Sequence, residues 1–306
     1  MLLSLCIATY NEETNLHYPL DSAYNLVDEV IVVDGGSTDK TIQIAKSYGN
    51  KVKIIQTNNP PMFHINKQKA LDAASGEWIL QLDADEAVTD ELKEEIIRIV
   101  NSEFRIQNSE LKKSKKILNS KLNSELLIHN SEFVAYYVPR KNWFLNRFLM
   151  KGGQYPDYTI RLYRNGVVKF PCKDVHENVE IISQKSKIKS QKEKLKAKSF
   201  NIENCELKIG FLTNPILHYS DPTFKRYWQR WKRYTTLEAQ RFVGENLDSL
   251  EKSSLINYII IKPIVTFFSM YFRHKGFMDR WAGFVFAFFS SIRFWGIYYQ
   301  YKKLKG

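Results

Sequence analysis

The fold class of this chain follows from one short segment, Gly76-Glu77-Trp78-Ile79-Leu80-Gln81-Leu82-Asp83-Ala84-Asp85-Glu86. Residues 78–82 are mostly apolar, follow a glycine and are too few for a helix, which predicts a short buried strand. Asp83 and Asp85 come directly after it, and residues two apart in an extended chain face the same side. We therefore expect both carboxylates just beyond the C-terminal end of the strand, where open parallel sheets bind ligands.

Two carboxylates at such an edge suit a hard divalent cation. Mg²⁺ and similar ions take oxygen ligands and often bridge one or two protein carboxylates to the phosphates of a substrate. The plainer interpretation is a solvated acidic turn that begins the next helix, and an isolated Asp-x-Asp usually is such a turn. The surrounding sequence has to decide between the two.

Composition sets broad limits. A chain of 306 residues with 44% hydrophobic residues can bury a full core and form one large domain or two. Its net charge of +12 is compatible with nucleic acid, an anionic membrane surface or phosphorylated substrates. The three cysteines, Cys6, Cys172 and Cys205, lack the spacing of a zinc site and are too scattered for a disulfide framework. We expect a protein of a reducing compartment, the cytoplasm.

Strand and helix patterns alternate along the first hundred residues. Strands are predicted over residues 2–8, 29–34, 52–56 and 78–82, and helices over residues 16–26, 41–48, 65–74 and 90–100. The second strand is rich in β-branched residues, as a strand covered on both faces is. This order predicts right-handed parallel crossovers and therefore an α/β fold with a doubly wound, mostly parallel sheet.

The middle of the chain contains two segments of different character. Residues 101–133 repeat Asn-Ser-Glu at irregular intervals, which indicates a low-complexity insertion and not a solenoid, since stacked repeats need a fixed period. Residues 185–198 are a lysine-rich insertion. Between and after them, strands are predicted over residues 135–139 and 216–219, and a loop or helix over 140–148. Residues 156–163 and 166–170 are predicted to form two strands, or a short helix and a strand. We expect residues 1–222 to form the catalytic domain.

Residues 223–306 have the composition of a helical, membrane-associating region. Residues 223–241 form a predicted helix in which aromatic and basic residues alternate, and residues 255–301 are the most apolar part of the chain. Lys262, Arg293 and the basic residues of 273–280 interrupt the apolar runs, so neither run reaches the length of an uncharged span. Bulky aromatics flanked by lysine and arginine are typical of helices that lie in a membrane interface.

Three segments together resemble a known family. Residues 5–13, 32–39 and 76–86 are similar, in order and spacing, to the N-terminal signatures of family 2 glycosyltransferases. Leu-Asp-Ala-Asp-Glu at 82–86, Pro-Asp at 156–157 with Arg-Leu at 161–162, and Val-His-Glu at 175–177 resemble its lipopolysaccharide-core β-glucosyltransferase-like branch. The resemblance covers about residues 1–100 and 134–300. It implies a GT-A fold and an inverting transfer from a nucleoside-diphosphate sugar to a cell-surface glycan or a lipid-linked acceptor.

The resemblance also assigns residues to the donor site. Thr9, Asn11 and Glu12 match the loop that lines the nucleotide pocket, and Asp34 matches the acid that contacts the base or ribose. Lys67, on the predicted helix before the Asp-x-Asp strand, is a candidate contact for the diphosphate.

A divalent cation, Mg²⁺ or Mn²⁺, is implied between the diphosphate and the Asp-x-Asp motif. Asp85 is the expected ligand, with Asp83 as a further ligand or ribose contact and His176 as a third metal or diphosphate contact. An inverting transfer also needs a carboxylate that takes the proton of the acceptor hydroxyl. Asp157 and Glu177 both remain candidates for this base, with Asp157 ranked slightly ahead.

The resulting hypothesis is a glycosyltransferase that is cytoplasmic and peripheral on the inner face of the cell membrane. Nucleotidyltransferases share the sheet and the metal, but usually carry a glycine-rich loop after the first strand, whereas residues 9–13 contain no glycine. A non-catalytic membrane-surface adaptor on a transferase fold is a second alternative, against which the intact Asp83, Asp85 and Asp157 argue. Nucleic acid is the weakest alternative and is not an expected partner, because only the net charge and the helix over 223–241 favour it.

Overall fold

The computed structural model describes residues 3–113, 133–172, 179–182, 208–244 and 256–305, with the backbone alone for 102–113 and 244. The predicted site residues His176 and Glu177, most of the 101–133 insertion and all of the 185–198 insertion lie outside the described residues. The chain divides into two compact units. Unit 1 comprises Met1–Pro139 and Tyr158–Ile216, and unit 2 comprises Arg140–Asp157 and Leu217–Gly306.

The first part of unit 1 alternates strands and helices as predicted. Its elements are β1 (Leu3–Thr9), α1 (His17–Ala23), β2 (Glu29–Asp34), α2 (Thr41–Ser47), β3 (Val52–Gln56), α3 (His64–Ala73), β4 (Trp78–Asp83), β5 (Glu86–Val88) and α4 (Asp90–Lys113). β1 pairs in parallel with both β2 and β4, and β2 pairs in parallel with β3. The spatial order β3-β2-β1-β4 confirms the doubly wound sheet. α4 is longer than expected, because it continues past residue 100 to Lys113.

The later strands complete the sheet. They are β6 (Phe133–Phe144), β7 (Arg147–Phe148), β8 (Asp157–Arg164), β9 (Val168–Lys169), β10 (Glu180–Ile181), β11 (Lys208–Phe211) and β12 (Ile216–Asp221). β8 pairs antiparallel with β4, so that Leu162 lies opposite Leu80, while β11 pairs in parallel with β6. β9 and β10 form a separate two-stranded sheet.

The predicted loop or helix over residues 140–148 is wrong. β6 continues through Phe144, and β7 pairs with it antiparallel. The two strands are joined by Leu145 and Asn146, whose φ angles are both positive, at 44° and 66°. Two-residue hairpin turns require such angles. Leucine rarely adopts them, which hides this turn from a sequence-based prediction.

Alternation along β1 separates two cores in unit 1. Leu3, Leu5 and Ile7 face a cluster that includes buried residues of α1 and α4, while Cys6 faces a second cluster on the other side with residues of α3, β8 and β9. Both sides of the parallel sheet are therefore covered, as this class of sheet requires.

Unit 2 combines the β6–β7 hairpin with helices. α5 is Phe224–Gly244, α6 is Lys262–Phe268 between two π-helical segments (Asn257–Ile261 and Ser269–Arg273), and α7 is Arg280–Lys305 after a short 3₁₀ turn, Gly276–Asp279. Phe144, Leu149, Tyr227, Ala282 and Val285 form its core. None of the helices in the described part of the chain has the length and apolar composition that crossing a bilayer requires.

A buried carboxylate lies at the end of the sheet opposite the Asp-x-Asp motif. Glu29, at the start of β2, accepts hydrogen bonds from the Ser4 hydroxyl (2.5 Å) and the Ser75 backbone (2.6 Å), and forms an ion pair with Lys53 (2.8 Å). Burial alone would raise the pKa of Glu29, but the bonds from Lys53, Ser4 and Ser75 outweigh it and lower the pKa to about 2. The ionised carboxylate therefore stabilises unit 1.

This shift predicts how stability depends on pH. Because the ordinary pKa is 4.5, the contribution is fully present above pH 4.5 and is lost as the pH falls towards 2. Glu29→Gln should lower the free energy of unfolding by up to about 3 kcal/mol at pH 7. The difference from wild type should shrink below pH 4.5, as measured by urea unfolding. Glu94→Gln, whose carboxylate is 73% exposed, is the control. A penalty for Glu29→Gln that is equal at pH 7 and pH 3 would contradict the assignment.

Candidate functional site

Asp34 organises the loop that follows β2. The residue is fully buried, and its Oδ2 accepts the backbone N–H groups of Gly36 and Ser37, both at 2.9 Å. Its Oδ1 accepts the hydroxyls of Ser37 (2.5 Å) and Thr9 (3.2 Å). Gly36 has a φ of +83°, an angle that a residue with a Cβ rarely adopts. In this structure Asp34 holds the loop, and its contact with a base or ribose stays a prediction.

The loop after β1 is bonded to the loop after β2. The Asn11 N–H donates to Ser37 Oγ and the Thr38 N–H donates to Asn11 Oδ1, both at 2.8 Å. The Glu12 N–H donates to Thr41 Oγ1 at 2.8 Å. These bonds bring four predicted donor-site residues together at the C-terminal ends of β1 and β2: Thr9, Asn11, Glu12 and Asp34.

Asp83, at the end of β4, is held by two buried cations. Lys67 Nζ on α3 pairs with its Oδ1, and Arg161 Nη2 on β8 pairs with its Oδ2 at 2.7 Å. The Asp83 side chain is 26% exposed, whereas those of Lys67 and Arg161 are 10% and 6% exposed. Burial would raise the pKa of Asp83, but Arg161 and Lys67 outweigh it and hold the pKa well below its usual range. The carboxylate is ionised and fixed in position.

Arg161 is a residue of this site that sequence reasoning did not assign. Its guanidinium also binds Gln81 Oε1 and the fully buried Glu86, whose Oε1 lies 2.7 Å from Nη2. Glu86 in turn accepts the Asp83 N–H at 2.9 Å. The only local signal is an arginine between apolar neighbours in a predicted strand, which indicates a buried charge but not its partners.

The carboxylates at this edge of the sheet could hold a divalent cation only if a bound substrate supplied further oxygen ligands. Asp85 lies half-buried on the turn after β4, two residues beyond Asp83. Within the described ranges, no cluster of three or more His, Cys, Asp or Glu side chains is placed to hold a metal alone. Mg²⁺ is usually held by one or two carboxylates and completed by substrate phosphates, so the carboxylates here are of the right kind and number for that arrangement.

Asp157, the predicted base, belongs to a polar cluster of unit 2. Its Oδ2 accepts Arg140 Nη2 (2.7 Å), Arg140 Nε (3.0 Å) and Asn142 Nδ2 (3.1 Å). Asn142 Oδ1 lies 2.7 Å from Nδ1 of His218. Burial would raise the pKa of Asp157, but Arg140 and Asn142 lower it below its usual value. The carboxylate is therefore ionised at neutral pH.

Arg161 should be essential for the stability of unit 1. Arg161→Met leaves the buried Glu86 and the clamped Asp83 without their shared cation, which should lower the free energy of unfolding by about 3–5 kcal/mol. Arg161→Met/Glu86→Leu should recover part of this loss, because it removes the carboxylate with the larger burial. Urea unfolding measures both. The control, Arg98→Met, removes an arginine that is 74% exposed and should cost less than about 1 kcal/mol. Equal costs for the two arginines would contradict the role of Arg161.

The first part of the chain matches a known family. Residues 4–153 match the family model of glycosyl transferase family 2. An uncharacterized glycosyltransferase of Rickettsia bellii is 38% identical over 102 residues, 33% of this chain and 33% of that protein. The matched stretch thus spans about a third of that relative. The lipopolysaccharide core biosynthesis glycosyltransferase LpsC of Rhizobium meliloti is 23% identical over 301 residues, 95% of this chain and 91% of LpsC.

Solved structures give a weaker likeness. TarS of S. aureus has a TM-score of 0.41 at 17% identity, covering 96% of this chain and 49% of TarS. Glucosyl-3-phosphoglycerate synthase of Mycobacterium tuberculosis, solved with Mn²⁺ and UDP-glucose, is 28% identical over 28% of this chain and 34% of its own, with a TM-score of 0.25. Both TM-scores are below 0.5, so the family assignment rests on the sequence match.

The sequence match and the topology agree. The expected fold class is confirmed, with an α/β architecture, a mostly parallel sheet and C-terminal helices. The three N-terminal signatures lie at the ends of β1, β2 and β4, within the matched residues. Residues 4–153 of this chain form a glycosyltransferase family 2 domain.

Proposed function

We propose that the chain is an inverting, metal-dependent glycosyltransferase that uses a nucleoside-diphosphate sugar. The observation that carries the proposal is the Asp83-Ala84-Asp85 turn, fixed by Lys67 and Arg161 at the C-terminal end of β4. This edge of a parallel sheet binds ligands in α/β folds generally, and here it lies within the segment that matches the family.

The donor's nucleotide is assigned to the bonded loops after β1 and β2. Thr9, Asn11 and Glu12 would line its pocket, with Asp34 holding their loop and contacting the base or ribose. Because these loops are joined by hydrogen bonds before a ligand is present, binding would cost little ordering entropy. Lys67 would contact the diphosphate from the position in which it pairs with Asp83.

Asp85 is the proposed protein ligand of Mg²⁺ or Mn²⁺, with Asp83 and His176 as further predicted contacts. The cation, when bound, would stabilise the negative charge that develops on the leaving diphosphate. In one displacement the acceptor oxygen bonds to the anomeric carbon as the bond to the diphosphate breaks. The acceptor's proton passes to a carboxylate, for which Asp157 and Glu177 remain the candidates.

A glycan or lipid-linked precursor of the cell surface, of the lipopolysaccharide-core type, is the proposed acceptor. The likeness to LpsC over nearly the whole chain supports this class. Such acceptors are presented at the cytoplasmic leaflet, where a peripheral protein would meet them. In this proposal residues 1–222 are catalytic, and residues 223–306 associate with the membrane.

Asp85→Asn tests the donor and metal assignments together. A ligand at ~100 times its dissociation constant adds roughly 2.7 kcal/mol of stability, which raises Tm by several degrees. In a thermal-shift screen of nucleotide sugars, one donor should raise the Tm of the wild type more with Mn²⁺ than without it. Asp85→Asn should remove the Mn²⁺-dependent part and abolish turnover while leaving the fold intact.

The control for Asp85 is Asp90→Asn, whose carboxylate is 90% exposed and which should behave as wild type. If Asp85→Asn kept both the Mn²⁺-dependent shift and turnover, Asp85 would not be a ligand. If the full panel gave no shift for the wild type, the proposed function itself would fail.

Asp157→Asn and Glu177→Gln decide which carboxylate is the base. Loss of the general base should lower kcat by ~10²–10⁴-fold without changing the donor-induced shift in Tm. If Asp157 is the base, its lowered pKa keeps it ionised, so kcat should show no acid limb from this group above about pH 4. A larger fall in kcat for Glu177→Gln than for Asp157→Asn would transfer the role to Glu177.

A further inference from the structure

One side of the helical segment from residue 256 to residue 273 is apolar and exposed. Ile256, Ile260, Ile264, Phe268 and Phe272 follow one another at intervals of four residues, which places them on one side of a helix. Each of these side chains is between 52% and 56% exposed. In a soluble protein this side of the helix would normally be covered.

A second exposed row runs along α7. Trp281, Phe288 and Trp295 recur every seven residues and are 69%, 40% and 51% exposed. The two rows, with the half-buried rings between them, are called the apolar face below; its exposed members are Ile256, Ile260, Ile264, Phe268, Phe272, Trp281, Phe288 and Trp295.

Ring contacts join the rows into one surface. Phe268 stacks on Phe272 at 5.4 Å, and Phe267, which contacts both, lies 6.0 Å from Phe284 of α7. Phe284 stacks on Trp281 at 5.5 Å and on Phe288 at 6.1 Å. Trp295 Nε1 donates to the Ile259 carbonyl at 2.7 Å, which fixes the far end of the two helices. The face is therefore a continuous layer of side chains. Contiguous apolar surfaces of this kind mark interaction sites.

The segment that carries the apolar face is strongly basic. Residues 256–305 contain eight exposed basic residues, Lys262, Arg273, Lys275, Arg280, Arg293, Lys302, Lys303 and Lys305. Their single acid, Asp279, is 3% exposed and accepts the N–H groups of Met150 (3.0 Å) and Lys151 (2.7 Å). The surface thus presents apolar and cationic groups, with its acid turned to the interior.

We propose that the apolar face of unit 2 docks on an anionic phospholipid bilayer. The apolar side chains would enter the boundary between headgroups and acyl chains, while lysine and arginine would meet the lipid phosphates. An exposed apolar surface on a strongly basic segment suits the interface between lipid headgroups and acyl chains. A second copy of this chain fits less well, because it would bring two strongly basic segments together. The inference deepens the proposed function, and rests on it only for the lipid-linked acceptor.

Vesicle flotation of the full chain tests the docking. Vesicles of phosphatidylcholine with about a third phosphatidylglycerol should bind the wild type at least tenfold more tightly than vesicles of phosphatidylcholine alone. Phe268→Gln/Trp281→Gln should weaken binding at least tenfold, and Ile264→Gln is a second variant on the same face. Phe211→Gln changes a phenylalanine of unit 1 that is 62% exposed and should bind as wild type. Lys302→Gln/Lys303→Gln should weaken binding to the anionic vesicles, whereas Lys46→Gln, on α2, should not.

Three outcomes would overturn the docking proposal. They are a wild type that ignores anionic vesicles, an equal loss for Phe211→Gln, and unchanged binding for folded variants of the apolar face. A dimer in sedimentation velocity that Phe268→Gln/Trp281→Gln dissociates, without vesicle binding, would make the face a subunit interface. Donor-induced shifts in Tm, measured on the same preparations, separate the two proposals. Vesicle binding without any donor-induced shift in Tm would support the docking proposal and contradict the proposed function.

Discussion

The ion network around Arg161 is the constraint on which the candidate site depends. A guanidinium that is 6% exposed would be costly without partners, and so would the fully buried carboxylate of Glu86. Each compensates the other at 2.7 Å, and Arg161 reaches Asp83 at the same distance. Because Arg161 lies on β8 and Asp83 ends β4, the network ties two antiparallel neighbours at the point where the Asp-x-Asp turn begins. Lys67, on α3, also pairs with Asp83 and so holds α3 to the same turn.

The loops beside this network are fixed by hydrogen bonds and not by ion pairs. Asp34 accepts four hydrogen bonds from its own neighbourhood. The backbone N–H groups of Asn11 and Glu12 donate to the hydroxyls of Ser37 and Thr41. Backbone groups that would otherwise need water are thereby satisfied at the sheet edge. The site is thus assembled from strand ends that the sheet holds in register and from loops that bond to each other. A ligand would meet an ordered surface.

Sequence patterns predict the parts of this fold that depend on neighbours in the chain. β2 and β3 begin and end at the predicted residues, because their β-branched and apolar runs are bounded by polar or turn residues. The hairpin at Leu145 and Asn146 was missed, since its φ angles contradict the preference of leucine. The Arg161–Asp83 pair joins residues 78 positions apart, and nothing local to either residue indicates the other. Asp34 is a predicted site residue, but its bonds to the loop depend on a backbone turn that sequence alone does not specify.

The positions of the acidic residues decide how much of the net positive charge is exposed on unit 2. A chain with charge +12 need not attract a surface if its acids and bases alternate. Over residues 256–305 acids and bases do not alternate, because Asp279 is the only acid of this segment. Its carboxylate accepts the amides of Met150 and Lys151. Arg147 donates to its carbonyl at 3.0 Å. The one acid of this segment instead binds residues that follow the β6–β7 hairpin to the turn before α7. Within residues 256–305, folding therefore buries the single carboxylate and leaves the basic residues exposed. Exposed phenylalanine and tryptophan beside basic residues do not stabilise the fold, because contact of apolar side chains with water is unfavourable.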